Sequence, residues 1–506
     1  MNMFDAIIAG FVALMTPQAL IFSFLGVVYG LVIGILPGLG GIVAMTLLLP
    51  FTLGFEPAAF LAMLLGAHIG TIWGDSVCSI LFGIPGAAKA LPLMFDGHPM
   101  TLRGEGERAL GASAMAALLG SLVGALFLAL CIPIIRPLIL LLGPSELLIM
   151  ALWGLTVIAT FSEGSVLKGL TAACAGVLVS FIGMDPVTAT PRFTFGSLYL
   201  LDGLYFPVTV IGIFAVAEMM KLFLKGEAMV PRNVVKNVST VWTGVMDNFR
   251  HFWLVVRASI LGLWIGVLPG IGASTGSIAA YAMAMQTSKH PETFGKGNVE
   301  GVIAPDATLG ANEGGGLLPT LAFGIPGGDS MALLLIAFYN MGISPGPQML
   351  TQHLDMVFTL VWIVILASLM VAVIGIAVSP YLARIPNISA NLMVPFVLSI
   401  CFLGAFTVRS RIADVMVAGM FGGIGYLMDK FHYSRSNFVI GMVLATMIER
   451  SLHISITLYG KYFVFTRPMT LILLLALIVT TAWPFVRNWR RQRATKPPTL
   501  NEGDPQ

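Results

Sequence analysis

The segment Gly30-Leu-Val-Ile-Gly-Ile-Leu-Pro-Gly-Leu-Gly-Gly41 returns 232 residues later as Gly262-Leu-Trp-Ile-Gly-Val-Leu-Pro-Gly-Ile-Gly-Ala273, with eight of twelve positions identical. A second shared word follows each copy, Phe82-Gly-Ile-Pro-Gly86 and Phe323-Gly-Ile-Pro-Gly327. The chain is an internal duplication whose best-matched parts are Gly/Pro breaks inside apolar sequence. Proline removes a backbone donor and glycine opens non-helical dihedrals, so a helix must break at both Leu-Pro-Gly sites. In lipid, the freed N–H and C=O groups are tolerated only where protein or a water-filled cavity satisfies them. Broken segments at matching places in two halves point to a secondary transporter, in which such breaks build the solute and ion site near the membrane midplane. The alternative for either copy is a kinked packing site between helices.

Composition puts these breaks in a bilayer. Of 506 residues, 57% are hydrophobic and 10% charged, and the mean hydropathy is +0.92. A soluble domain carries about 25% charged residues. The expected fold is an all-α polytopic membrane protein of two inverted-topology repeats, with broken helices or re-entrant hairpins and roughly 10–14 spans. The expected units are an N-terminal interfacial helix (1–17), a first membrane repeat (18–224), a cytoplasmic connecting segment (225–250), a second membrane repeat (251–486) and a basic cytoplasmic tail (487–506). The inversion follows from the basic residues. Lys221, Lys225, Arg232, Lys236, Arg250 and Arg257 hold the connection inside, as the Arg487–Arg493 cluster holds the tail, whereas the first Lys or Arg of the chain is Lys89. The same lack of early positive charge leaves no signal-peptide n-region.

Other classes are excluded. A net charge of +3 without a basic patch gives no nucleic-acid partner. Cys78, Cys131, Cys174 and Cys401 are isolated in apolar sequence and form no metal or disulfide pattern. There is no His-x-x-x-His pair, Walker loop or Gly-x-Ser-x-Gly elbow, so the chain is expected to be neither an enzyme nor a holder of a bound cofactor.

The candidate solute-binding residues cluster at the breaks. In the first half they are Pro37, Gly38, Gly40 and Gly41, then Ser76, Pro85 and Gly86. In the second half they are Pro269, Gly270, Gly272, Ser274 and Thr275, then Asn312, Pro326, Gly327 and Ser330. A half-helix that starts after a break offers unpaired N–H groups to a carboxylate, and exposed carbonyls on the other arm suit Na⁺. Asp75, Glu313 and Asp329 are carboxylates embedded in apolar runs, and such residues are costly in lipid. They are the candidates for coupling to a cation, Na⁺ or H⁺; the structural alternative is a helix cap or a residue at the water boundary. His68, on an apolar segment, reads as a hydrogen-bonded packing histidine more readily than as a proton relay. No Lys or Arg lies between Lys296 and Arg384 to balance Glu313.

At these residues the chain resembles the large permease subunit (TctA family) of the bacterial tripartite tricarboxylate transporters. The matching stretches are Gly34–Gly41, Ile80–Gly86, Phe95-Asp-Gly-His-Pro-Met100 and Ala109-Leu-Gly111, then Phe294–Gly297, Glu300–Pro305, Leu318–Gly327 and Pro345-Gly-Pro347. The resemblance implies a multi-pass permease of the bacterial inner membrane, driven by an ion gradient. Its implied partners are a small four-helix membrane subunit and an extracytoplasmic solute-binding protein that hands over a small organic acid. The chain departs from the family's pattern at Gly74-Asp75-Ser76, where Gly-Gly-Ser is usual, and after Asp306, where a pair of asparagines is replaced and Asn312-Glu313 follow instead. A self-sufficient cation-coupled carboxylate transporter, working without a binding protein, is the alternative.

Overall fold

A computed structural model describes residues 2–36, 38–51, 54–139, 141–161, 165–185, 188–225, 240–382 and 390–479. Pro37, most of the 225–250 connection and the basic tail lie outside the described residues. The first half contains α1 (Met3–Leu14), α2 (Pro17–Ile35), α3 (Gly40–Leu48), α4 (Pro57–Phe82), α5 (Leu91–Leu102), α6 (Gly106–Ile139), α7 (Pro144–Phe161) and α8 (Val166–Ser180). A small antiparallel hairpin, β1 (Gly183–Met184) with β2 (Pro191–Arg192), precedes α9 (Leu198–Leu201), α10 (Phe206–Val210) and α11 (Ala217–Lys225). The second half contains α12 (Val241–Arg250), α13 (Phe252–Val267), α14 (Gly272–Thr287), α15 (Glu300–Phe323), α16 (Asp329–Asn340), α17 (Pro347–Thr351) and α18 (Leu354–Leu382). It continues with α19 (Ala390–Arg409), α20 (Ile412–Lys430), α21 (Arg435–Tyr459) and α22 (Phe463–Thr466), and a last apolar helix covers Pro468–Val479.

Among the described residues, seven helices are long and apolar enough to cross a membrane, and eight if the α12–α13 pair, bent by 80°, counts as one span. The expectation of roughly 10–14 spans counted apolar blocks, and several of these are helices of 10–17 residues, such as α8 and α16. The chain is a multi-pass membrane protein built almost wholly from helices.

Both breaks form where the sequence requires them. Helix α2 stops at Leu36 and α13 at Leu268, each with extended backbone, and a short helix restarts at Gly40 and Gly272. The glycines between take left-handed conformations in matched pairs, Gly38 (φ 84°) with Gly270 (φ 89°) and Gly40 (φ 47°) with Gly272 (φ 78°). Residues with a Cβ are strained there. Helices α4 and α15 likewise end on left-handed Gly83 and Gly324, the second residue of each shared Phe-Gly-Ile-Pro-Gly word.

Helix packing follows the small residues, as it must where lipid supplies no hydrophobic drive between helices. A Cβ on Gly26, Gly30 or Gly34 of α2 would strike Met63, Ala67 or Thr71 of α4, so these two helices run parallel in close contact. Gly262 and Gly266 of α13 meet Thr308 and Asn312 of α15 in the same way. The long helices then cross over: Gly120 and Gly124 of α6 press on Ala307 and Ala311 of α15, while Gly375 of α18 presses on the Trp73 ring of α4. Helix α1 packs on α18 and α12 on α6. At the centre α4 and α15 run antiparallel, for His68 faces Glu313 while Ser76 faces Asp306.

Beside this centre Asp96 of α5 ties the halves together. Its fully buried carboxylate accepts hydrogen bonds from the backbone N–H groups of Gly297 (2.7 Å) and Asn298 (2.8 Å) and from the Tyr281 hydroxyl (2.8 Å). Asp96→Ala leaves three half-buried donors without their acceptor, a loss of about 2 kcal/mol at roughly 0.5–1.5 kcal/mol per hydrogen bond. The expected result is a clear fall in the thermal unfolding midpoint in detergent, whereas exposed Glu292→Ala leaves it unchanged. Equal midpoints would show that Asp96 carries no such load.

Candidate functional site

The two central helices are interrupted by glycine and polar residues, yet nearly every residue of both is buried. Their facing surfaces hold a belt of charge. His68 Nε2 lies 3.0 Å from Glu313 Oε2, with both side chains about 5–6% exposed. The contact is ionic when the ring is protonated, but its angles do not make a hydrogen bond. The Ser76 hydroxyl donates to Asp306 Oδ1 at 2.7 Å, and among the described residues Asp306 Oδ2 has no hydrogen-bond partner. Lys89, from the single turn Ala88–Ala90 after the first Ile-Pro-Gly word, places Nζ 3.4 Å from Asp75 Oδ2. Asp75, Asp306 and Glu313 are all buried. Three carboxylates therefore face one lysine and one histidine in a medium where uncompensated charge is expensive.

The first break abuts this belt. The Gly38 N–H donates to the Gly86 carbonyl at 2.9 Å, tying the Leu-Pro-Gly break to the Ile-Pro-Gly word. Gly86 backs onto Asp75, where a Cβ would come within 2.6 Å of its Cα, and Gly41 backs onto the His68 ring and the Thr71 hydroxyl. Of the candidates in the first half, Gly38, Gly40, Gly41, Asp75, Ser76 and Gly86 are thus brought together, and Pro85 lies in the same loop, half-buried.

The helix that leads into the second break packs beside Glu313. Gly266 abuts Asn312, Gly315 and Gly316, one turn from Glu313, and buried Gly327 abuts Gly316 with its N–H donating to the Thr320 hydroxyl at 3.2 Å. Pro326 is buried beside it, and Asn312 is half-buried. Ser274 and Thr275 occupy the first turn of α14, where the Ser274 carbonyl accepts from Ser277 and Thr275 is exposed. Pro269, Gly270 and Gly272 form the break itself and are partly exposed. Asp329 and Ser330 open α16 and are half-buried.

The belt contains three residues that were not among the candidates. Asp306 is the most consequential, a fully buried carboxylate on α15. His68 and Lys89 provide the counter-charges, from the opposite half to Glu313 in one case and from a connecting turn in the other. Asp306 had one visible signal, an acidic residue inside an otherwise small and apolar run.

A family model described as the tripartite tricarboxylate transporter TctA family matches residues 20–440. The chain belongs to the TctA family. An Agrobacterium vitis protein described as an uncharacterized 52.8 kDa protein in the TAR-I ttuC' 3' region is 31% identical over 496 residues, or 97% of this chain and 98% of its own length. A second Agrobacterium vitis protein, described as uncharacterized in the TAR-II ttuC' 3' region, is 27% identical over 236 residues, or 46% of this chain and 98% of its own. No solved structure matches the chain. TctA is a transporter family, so this chain is a component of a tripartite tricarboxylate transporter, and the belt lies within the matched residues.

Proposed function

We propose that this TctA-family chain is the permease of an ion-gradient-driven uptake system for small organic acids, resident in the bacterial inner membrane. The observation that carries the reading is the belt of three buried carboxylates where the two broken halves meet. One lysine and one histidine leave the belt with excess negative charge, and a coupling cation, Na⁺ or H⁺, is the economical balance. The two halves work by alternating access. The antiparallel course of α4 and α15 supports an inverted relation between them, because an axis along the membrane normal would leave equivalent spanning helices parallel. Solute arrives from an extracytoplasmic binding protein, and a small four-helix membrane subunit completes the assembly; family membership supports both partners.

Uptake by proteoliposomes tests the proposal. With all three components and an inward ion gradient, a labelled carboxylate should accumulate, and dissipating the gradient should stop it. The chain alone should give a small fraction of that rate. Full accumulation by the isolated chain would replace the proposal with a self-sufficient cation-coupled carrier, and accumulation indifferent to the gradient would refute ion coupling.

A further inference from the structure

We infer that Lys89 receives a carboxylate group of the transported organic acid, and that Asp75 is its stand-in counter-ion in the unloaded protein. The inference rests on the transport reading above. The Lys89 Nζ to Asp75 Oδ2 separation of 3.4 Å is longer than the about 2.7–2.9 Å of a charge-assisted hydrogen bond. Among the described residues both Asp75 oxygens lack a hydrogen bond, although the side chain is fully buried. An ion pair kept for stability needs further hydrogen bonds, because desolvating two charges otherwise outweighs their attraction. This pair has none.

Nor does the fold require the pair. The second half makes the same close approach with Gly327 on Gly316, the positions matching Gly86 on Asp75, and it carries Ser330 where the first half has Lys89. The loose pair is a property of the first half alone, which leaves it open to an exchange of partners.

Lys89 is also well placed for that exchange. Its turn lies between the first break, where Gly40 faces the Ala87 side chain, and α14, which packs on the turn. The Lys89 side chain is 13% exposed and that of Asp75 is 0%, so the ammonium is the reachable member. Among the described residues, it is the lysine whose field reaches Asp75, Asp306 and Glu313 alike. An organic anion entering the belt meets three carboxylates that repel it, and Lys89 is the fixed charge that offsets them. An ammonium is a compact point donor with three N–H groups, so it takes one carboxylate of a mono-, di- or tricarboxylate without demanding a particular spacing.

Binding to the purified chain in detergent decides the matter. Acetate, succinate and citrate are titrated at fixed ionic strength, with tryptophan fluorescence as the readout, since Trp73 lies two positions before Asp75. At least one anion should bind saturably. Lys89→Met should weaken it by about tenfold or more, Lys89→Arg should retain it, and Asp75→Asn should tighten it by removing the competitor. Because Lys89→Met leaves Asp75 without its counter-charge, the neutral double variant Asp75→Asn/Lys89→Met is measured beside it, with its thermal midpoint. Wild-type affinity in the folded double variant, or no saturable binding of any of the three anions to the wild type, overturns the inference. Saturable binding that depends on Lys89, without uptake in the complete system, would leave the role of Lys89 standing and count against the transport reading.

Discussion

Glu313→Gln is expected to cut ion-driven uptake by about 10- to 100-fold, the equivalent of losing a charged contact of about 1.5–3 kcal/mol. Gln keeps the shape and hydrogen-bonding reach of the side chain and removes its charge. The residue is buried on α15 with His68 as its close partner, so the substitution strips the belt of one negative charge without opening a cavity. Folding should be largely intact, and a neutral pair of His and Gln avoids the cost of a buried unpaired ion. Uptake in the complete system, measured with the ion gradient present and dissipated, separates the two roles open to Glu313. Loss of the gradient-dependent part marks it as a coupling residue. Uptake with undiminished dependence on the gradient would show that the carboxylate is structural.

Gly314→Val is expected to abolish the folded protein rather than its coupling. On one side of Glu313, Gly314 of α15 meets Gly124 of α6 backbone to backbone, and a Cβ there would fall inside the Gly124 backbone. Overpacking a core costs typically about 1–3 kcal/mol, and more where the obstacle is main chain that cannot swing aside. Both helices must separate, and with them the link that α6 of the first half makes to α15 of the second. Size-exclusion profile and yield in detergent are the measurements. Gly423→Val, on α20 where a Cβ meets open space, is the control. A monodisperse Gly314→Val protein at wild-type yield would mean that α6 and α15 are not held at the separation seen here.

Much of the architecture was legible because each break is a local property. A Leu-Pro-Gly word cannot continue a helix whatever surrounds it, and it recurs 232 residues on with the same left-handed glycines. The helix ends at Gly83 and Gly324 follow from the same chemistry. Asp75 and Glu313 were legible too, since a carboxylate between small and apolar residues has few places to go. The same reasoning sets Asp329 beside them, and this residue opens helix α16, half-buried.

What the sequence by itself determined about this protein is its membrane character, the recurrence of its broken words, where its helices break and which family it joins. All of these rest on composition or on short contiguous words. Only the tertiary structure decided which charges face each other. His68 meets Glu313 across the two halves, Ser76 meets Asp306 from 230 positions away, and Lys89, one basic residue in a connecting turn, folds back onto Asp75. The physical reason is that a buried charge is settled by the nearest opposite charge in space, and that neighbour is fixed by packing, whether it comes from a nearby turn, as Lys89 does, or from a central helix more than 200 positions away, as His68 does.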